Sequence, residues 1–140
     1  TGRRTGSGDV TRTAELWSAP LEQHMMSTAA VAGGLAFVTD TAKNIHCLDA
    51  ATGKSLWTHA CNGLFWASPF VADGKVYAGT RSGDFWVLAA EREKRVLLET
   101  KFPAKISATV TAANGVLYIA TMTHLYAVAE GAGDGNKSRR

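Results

Sequence analysis

Apolar and polar residues alternate in short runs along most of this chain, and glycine interrupts the runs at regular intervals. The pattern is clearest between residues 68 and 101. Residues 68–72 predict a short strand, and Asp73-Gly74 then supplies the residue types that a tight hairpin turn requires. Residues 75–80 alternate and are rich in valine and tyrosine, Ser82-Gly83-Asp84 turns the chain again, and Phe85-Trp86-Val87-Leu88-Ala89 predicts a third strand. Residues 95–101 predict a fourth. A period of two with β-branched and aromatic residues is the signature of strands, and no segment carries the 3.6-residue period of a helix.

The same unit recurs. Thr28-Ala-Ala-Val-Ala-Gly-Gly-Leu-Ala-Phe-Val aligns with Ser68-Pro-Phe-Val-Ala-Asp-Gly-Lys-Val-Tyr-Ala. Gly34 and Gly74, Phe37 and Tyr77, Leu48 and Leu88, and Trp17 and Trp57 are each 40 residues apart. In a third copy Gly115 and Tyr118 follow their counterparts by 41 residues, and Leu125 follows Phe85 by 40, so one turn is a residue shorter. Four short strands every 40 residues or so describe a β-propeller blade. The expected fold class is therefore all-β, with about three blades of four antiparallel strands. The expected organisation is a flexible segment over 1–12, repeats over 13–130 and a flexible basic tail over 131–140. Within the repeats, 13–19 predicts a lone outer strand carrying Trp17, 28–59 and 67–102 predict full blades, and 107–129 predicts a blade without its outer strand. Pairing of 13–19 with 125–129 would complete that last blade from both ends of the chain.

One segment carries a more specific motif. Ala50-Ala-Thr-Gly53-Lys-Ser-Leu-Trp57 places a small residue and a glycine at the corner before the outer strand, then a tryptophan on that strand. Gly53 permits positive φ at the corner, Ala50 keeps it small, and Trp57 offers a broad flat surface to a neighbouring blade. With Trp17, these residues form the expected structural docking motif. The motif and the block Ile45-His-Cys-Leu-Asp-Ala-Ala-Thr-Gly-Lys-Ser-Leu-Trp57 resemble the tryptophan-docking repeats of PQQ-binding-like (quinoprotein-type) propellers, the BamB-like group. The Gly-His and Trp-Asp signatures of WD repeats are missing. The resemblance implies a partial arc of an eight-bladed propeller and a periplasmic or extracytoplasmic location. In the second repeat Ala90 is kept, but Glu93 stands in place of the glycine and Leu97 in place of the tryptophan.

Charge changes little in this picture. The net charge is +3, but six of the 15 basic residues lie in the terminal segments and the body is about neutral. That excludes the basic stripe of a nucleic-acid groove. No apolar run is long enough to span a membrane, and no signal peptide is recognisable in these residues. Cys47 and Cys61 either remain thiols or pair with each other; two cysteines do not make a metal motif.

Candidate chemistry is sparse. Quinoprotein dehydrogenases, by the resemblance, hold PQQ with an aspartate base, glutamate and asparagine around calcium, a tryptophan platform and often a disulfide between adjacent cysteines. Asp40, Asp49, Asp73 and Asp84 read instead as turn residues, and His24, His46, His59 and His124 fit no metal spacing. No catalytic residue, cofactor ligand or metal ligand is expected in this chain. Phe65-Trp66 at the start of an innermost strand is the candidate ligand or partner surface, although its counterparts Met25-Met26-Ser27 and Lys105-Ile106-Ser107 share no polar constellation with it. The leading expectation is a non-catalytic scaffold that binds a protein or peptide, or the missing blades, with self-association through exposed blade edges. The alternative is the C-terminal part of a PQQ-dependent dehydrogenase, with calcium and PQQ bound in other blades.

Overall fold

The computed structural model describes residues 15–21 and 23–129, and the expected segments 1–12 and 131–140 lie outside them. Eleven strands form three antiparallel sheets. The first blade contains β1 (Ala30–Ala32), β2 (Leu35–Thr39), β3 (Asn44–Asp49) and β4 (Ser55–Ala60). The second contains β5 (Phe70–Ala72), β6 (Lys75–Gly79), β7 (Asp84–Ala89) and β8 (Val96–Lys101). The third contains β9 (Thr111–Ala113), β10 (Val116–Ala120) and β11 (Leu125–Ala129). In every blade the strands pair in chain order, and three strands of the third sheet fall among the described residues.

The innermost hairpins share one turn. Gly33-Gly34, Asp73-Gly74 and Asn114-Gly115 all have positive φ at both positions. This conformation matches the twist of the flanking strands and favours Asn, Asp and Gly. The register then runs regularly, with Phe37 opposite Cys47 in the first blade and Tyr77 opposite Val87 in the second. Opposite Cys47 and Leu48 the outer strand β4 bulges at Leu56, and the bulge recurs in β8 at Leu97, opposite Val87 and Leu88.

Because strand side chains alternate between faces, each central strand buries residues on both sides. Leu35, Phe37, Ile45, Cys47 and Trp57 of the first blade meet Val76, Ala78, Trp86 and Leu88 of the second. The opposite face of the second blade, with Tyr77, Phe85 and Val87, meets Ile119, Leu117 and Tyr126 of the third. The other face of the first blade, Ala36, Val38 and Leu48, is covered by Ala19 and Leu21. Serine and threonine hydroxyls tie the blades together near the innermost strands. The Thr28 amide donates to Ser68 Oγ at 2.9 Å, and the Ser68 amide donates to Thr109 Oγ1 at 3.0 Å.

Two expectations need correction. Residues 15–20 form no strand, and residues 13 and 14 of the expected outer strand lie outside the described residues. Trp17 does not sit beside 125–129 either: its indole donates to the Ala50 carbonyl at 3.0 Å, so the segment packs at the corner of the first blade. β11 pairs only with β10 among the described residues.

Candidate functional site

Asp49 Oδ1 accepts the amides of Ala51 and Thr52 and the Thr52 hydroxyl, which folds the corner into a compact turn. Gly53 has φ +73, and a Cβ there would lie 2.4 Å from the Trp17 ring. The glycine therefore serves two purposes, a left-handed backbone and a flat seat for an indole. Trp57 repeats the arrangement one blade on. It is 7% exposed, and its indole donates to the Glu91 carbonyl of the second blade at 3.0 Å. Arg92 of the same corner reaches back to Asp49 Oδ2 at 2.8 Å. The Arg92 guanidinium, with the turn hydrogen bonds from Thr52 and Ala51, lowers the Asp49 carboxyl to about 2.

The second corner departs from the sequence alignment in one respect. Val87 faces Leu98, whereas Cys47, its counterpart, faces Trp57. The corner between β7 and β8 holds one extra residue, and Leu98 rather than Leu97 occupies the docking position. Both leucines are exposed, as is all of β8. Beneath β8 a cleft of about 520 Å³ opens between the second and third blades, lined by Leu98, Val87, Phe102 and Leu117.

The predicted aromatic pair splits. Burial alternates along residues 64–67, so successive side chains point to opposite sides. Phe65 is 1% exposed and belongs to the core between the first two blades, which removes it from any binding surface. Trp66 is 46% exposed. Arg81, from the turn between β6 and β7, lies over its ring with Cζ 3.5 Å from the centroid. The Arg81 amide donates to the Leu64 carbonyl at 2.9 Å, which fixes the turn against the segment leading into the blade. The same bond recurs from Thr41 to His24 and from Met122 to Lys105, so the three turns occupy equivalent places in adjacent blades. Leu64 of the same segment and Met25, Met26 and Met122 of the equivalent segments in the adjacent blades are also exposed. Arg81 was not legible as a functional residue, because its partner is 15 positions away in sequence and the turn's counterparts, Thr41 and Met122, share no chemistry with it.

A second polar cluster also escapes the sequence. His46 Nε2 bonds Asp40 Oδ2 at 2.7 Å, and its Nδ1 bonds Thr58 Oγ1 at 3.0 Å. Asn44 adds its amide and side chain to the same carboxylate. Burial raises the Asp40 carboxyl, but the bonds from His46 and Asn44 outweigh burial and hold it below the usual carboxylate range. The cluster ties the β2–β3 turn to β3 and β4. Burial lowers His59, which packs edge-on against Trp86. His24 and His124 lie exposed in loops.

The described residues do not fit a calcium–quinone site. Among the described residues each buried or half-buried carboxylate is already engaged: Asp40 with His46 and Asn44, Asp49 with its own turn and Arg92 of the second blade, and Asp84 with Thr80 and Lys101. Asp73 occupies the exposed innermost hairpin turn. No three His, Cys, Asp or Glu side chains converge among the described residues. Cys47 and Cys61 are separate buried thiols, and burial pushes them up to about 11 and about 12.

Repeat, register and docking geometry meet in the comparison with known proteins. A family model described as outer membrane protein assembly factor BamB matches residues 7–97. The chain belongs to this family of PQQ-like propeller repeats. The crystal structure of BamB from Moraxella catarrhalis superposes with a TM-score of 0.71 at 22% identity, over 81% of this chain and 36% of that one. The quinohemoprotein alcohol dehydrogenase ADHIIG from Pseudomonas putida HK5 gives 0.61 at 21% identity, over 74% and 17%. Quinohemoprotein alcohol dehydrogenase from Comamonas testosteroni gives 0.58 at 20% identity, over 69% and 17%. The BamB-like chain described here thus spans about a third of the length of BamB itself, and these likenesses establish its fold. No curated protein sequence matches it significantly.

Proposed function

We propose that this BamB-type arc is a non-catalytic scaffold that binds an extended protein segment at the blade end carrying Trp66. The observation behind this reading is the exposed Trp66–Arg81 stack, with Leu64 beside it in sequence and Met26 and Met122 exposed at the equivalent segments of the adjacent blades. Tryptophan and arginine dominate the energetics of protein interfaces. Methionine adapts its shape to different apolar partners, and Arg81 would select a carboxylate in the bound segment. The family's name, an outer membrane assembly factor, accords with protein binding and with an extracytoplasmic location. PQQ and calcium have no role in this reading, because the carboxylates are consumed by turns and ion pairs.

The alternative, a terminal piece of a PQQ-dependent dehydrogenase, draws on the likeness to the two alcohol dehydrogenases. One experiment separates the two. Peptides combining apolar and acidic residues are titrated against the wild-type chain and against Trp66→Ala, with PQQ and calcium titrated in parallel. The scaffold reading expects peptide binding to weaken at least tenfold in Trp66→Ala, since losing a tryptophan anchor costs about 2 kcal/mol or more. Tight PQQ binding that requires calcium, or peptide binding indifferent to Trp66, would overturn it.

A further inference from the structure

A histidine nitrogen is buried without a partner in the joint between the first and second blades, and we infer that this residue, His59, makes the joint a pH-sensitive contact that loosens in mild acid. His59 lies on β4 opposite Ile45 of β3, and its ring packs edge-on against Trp86 of β7, with centroids 4.6 Å apart. Ile45 and Trp86 both belong to the core that the two blades share. Nε2 of His59 is buried and has no hydrogen-bond partner among the described residues, and the same holds for Trp86 Nε1. An indole N–H only donates, so it offers nothing to the added proton of an imidazolium. A neutral imidazole is tolerated against this aromatic surface. An imidazolium is not, because a buried charge without an acceptor forfeits its hydration.

The other ionisable groups of the joint set the balance. Lys94, from the corner between β7 and β8, places its ammonium 3.5 Å from the Thr58 carbonyl, next in the chain to His59. Glu99 of β8 stands opposite Trp86 and supplies the opposing charge. Asp84 of β7 is engaged by Thr80 and by Lys101 of β8. At the corner, Arg92 is held by Asp49 and Glu91 by Arg95. The Cys47 and Cys61 thiols of the same core are uncharged, since burial pushes them up to about 11 and about 12. Burial and then the Lys94 ammonium hold His59 below its ordinary value of 6.5, and Glu99 offsets them only in part.

His59 therefore takes up a proton more readily when the joint is open than when it is closed. The stability of the closed joint is complete above the ordinary imidazole value of about 6.5. It is lost as pH falls from there through the lower value of the closed state. Over that interval one proton bound on opening shifts the equilibrium by up to about tenfold per pH unit. Opening parts the Trp57–Glu91 and Arg92–Asp49 contacts, which span the same joint.

Cys47 and Cys61 report on the joint, because both lie in its core. The chain and its His59→Phe variant are labelled with a maleimide between about pH 7.5 and about pH 5.5, either side of the ordinary imidazole value. Taking the ratio of the two rates at each pH cancels the changing thiolate fraction. That ratio should rise about three- to tenfold toward the acid end, while the amides of β10 and β11 keep their protection against hydrogen exchange. A nuclear magnetic resonance titration of the wild-type chain, with the His59 ring assigned through its backbone, needs no variant to fold. Its midpoint should lie below 6.5, and Lys94→Gln should raise it while Glu99→Gln lowers it. A ratio indifferent to pH, a His59 midpoint at or above 6.5, or loss of protection in all three blades together would overturn the inference.

Discussion

At the joint between the first and second blades, Trp57 reaches from the outer strand to the Glu91 carbonyl, and Arg92 reaches back to Asp49. At the joint between the second and third blades, Leu98 holds the docking position and remains exposed, and a cleft opens beneath it. The inner part of this second joint is well packed nonetheless. Ile106 is fully buried, it lies where any Cβ at Gly79 would fall, and Phe102 stacks edge-on against both Phe85 and Tyr126. One joint is thus closed at its outer strand, whereas the other is packed only toward its inner strands. Adjacent blades widen apart toward the rim, so a large rim side chain matters more than its single position suggests. All six residues of β8, which carries no indole, are exposed.

Substitutions that break each joint should have graded effects. Trp57→Ala removes the rim seal and should destabilise the chain by about 3–5 kcal/mol, the usual cost of truncating a buried tryptophan, read from urea unfolding. The same variant should speed labelling of Cys47 and Cys61, both part of that joint's core. An unchanged labelling rate would mean the joint does not depend on the indole. Ile106→Ala attacks the inner seal of the second joint and should cost about 2–4 kcal/mol, with little effect on thiol labelling. A comparable rise in labelling would show that the two joints unfold as one unit.

Gly53→Ala strains a left-handed corner and displaces Trp17. A cost of about 1–2 kcal/mol is expected, with a red shift in Trp17 emission, and an unshifted spectrum would refute the seat assigned to the indole. The smallest effect concerns pH. Asp40 and Asp49 are held below the ordinary carboxylate value in the folded chain. Their stabilisation is therefore complete above about pH 4 and is lost as pH falls through the folded values, about 2 for Asp49. The urea midpoint should decline between those limits, and Asp49→Asn should make the decline shallower.

Much of this arrangement follows from the sequence alone. Period-two alternation, the paired turn residues Asp73-Gly74 and the 40-residue spacing dictate strands, hairpins and blades, because each is a local property of the backbone or a simple repetition of one. The A-x-x-G-x-x-x-W motif likewise points to the docking corner, since positive φ at Gly53 and a flat indole are needed wherever that corner forms. Tertiary structure decided which residues meet. Phe65 and Trp66 look equivalent in sequence, but the segment that leads into the second blade turns their side chains opposite ways, so one is core and the other is surface. Leu97 yields the docking position to Leu98 because an extra corner residue shifts the register of β8 by one. Trp66 and Arg81, and Asp40, His46 and Thr58, come together only when separate strands and turns are brought into one blade, and periodicity carries no information about such encounters.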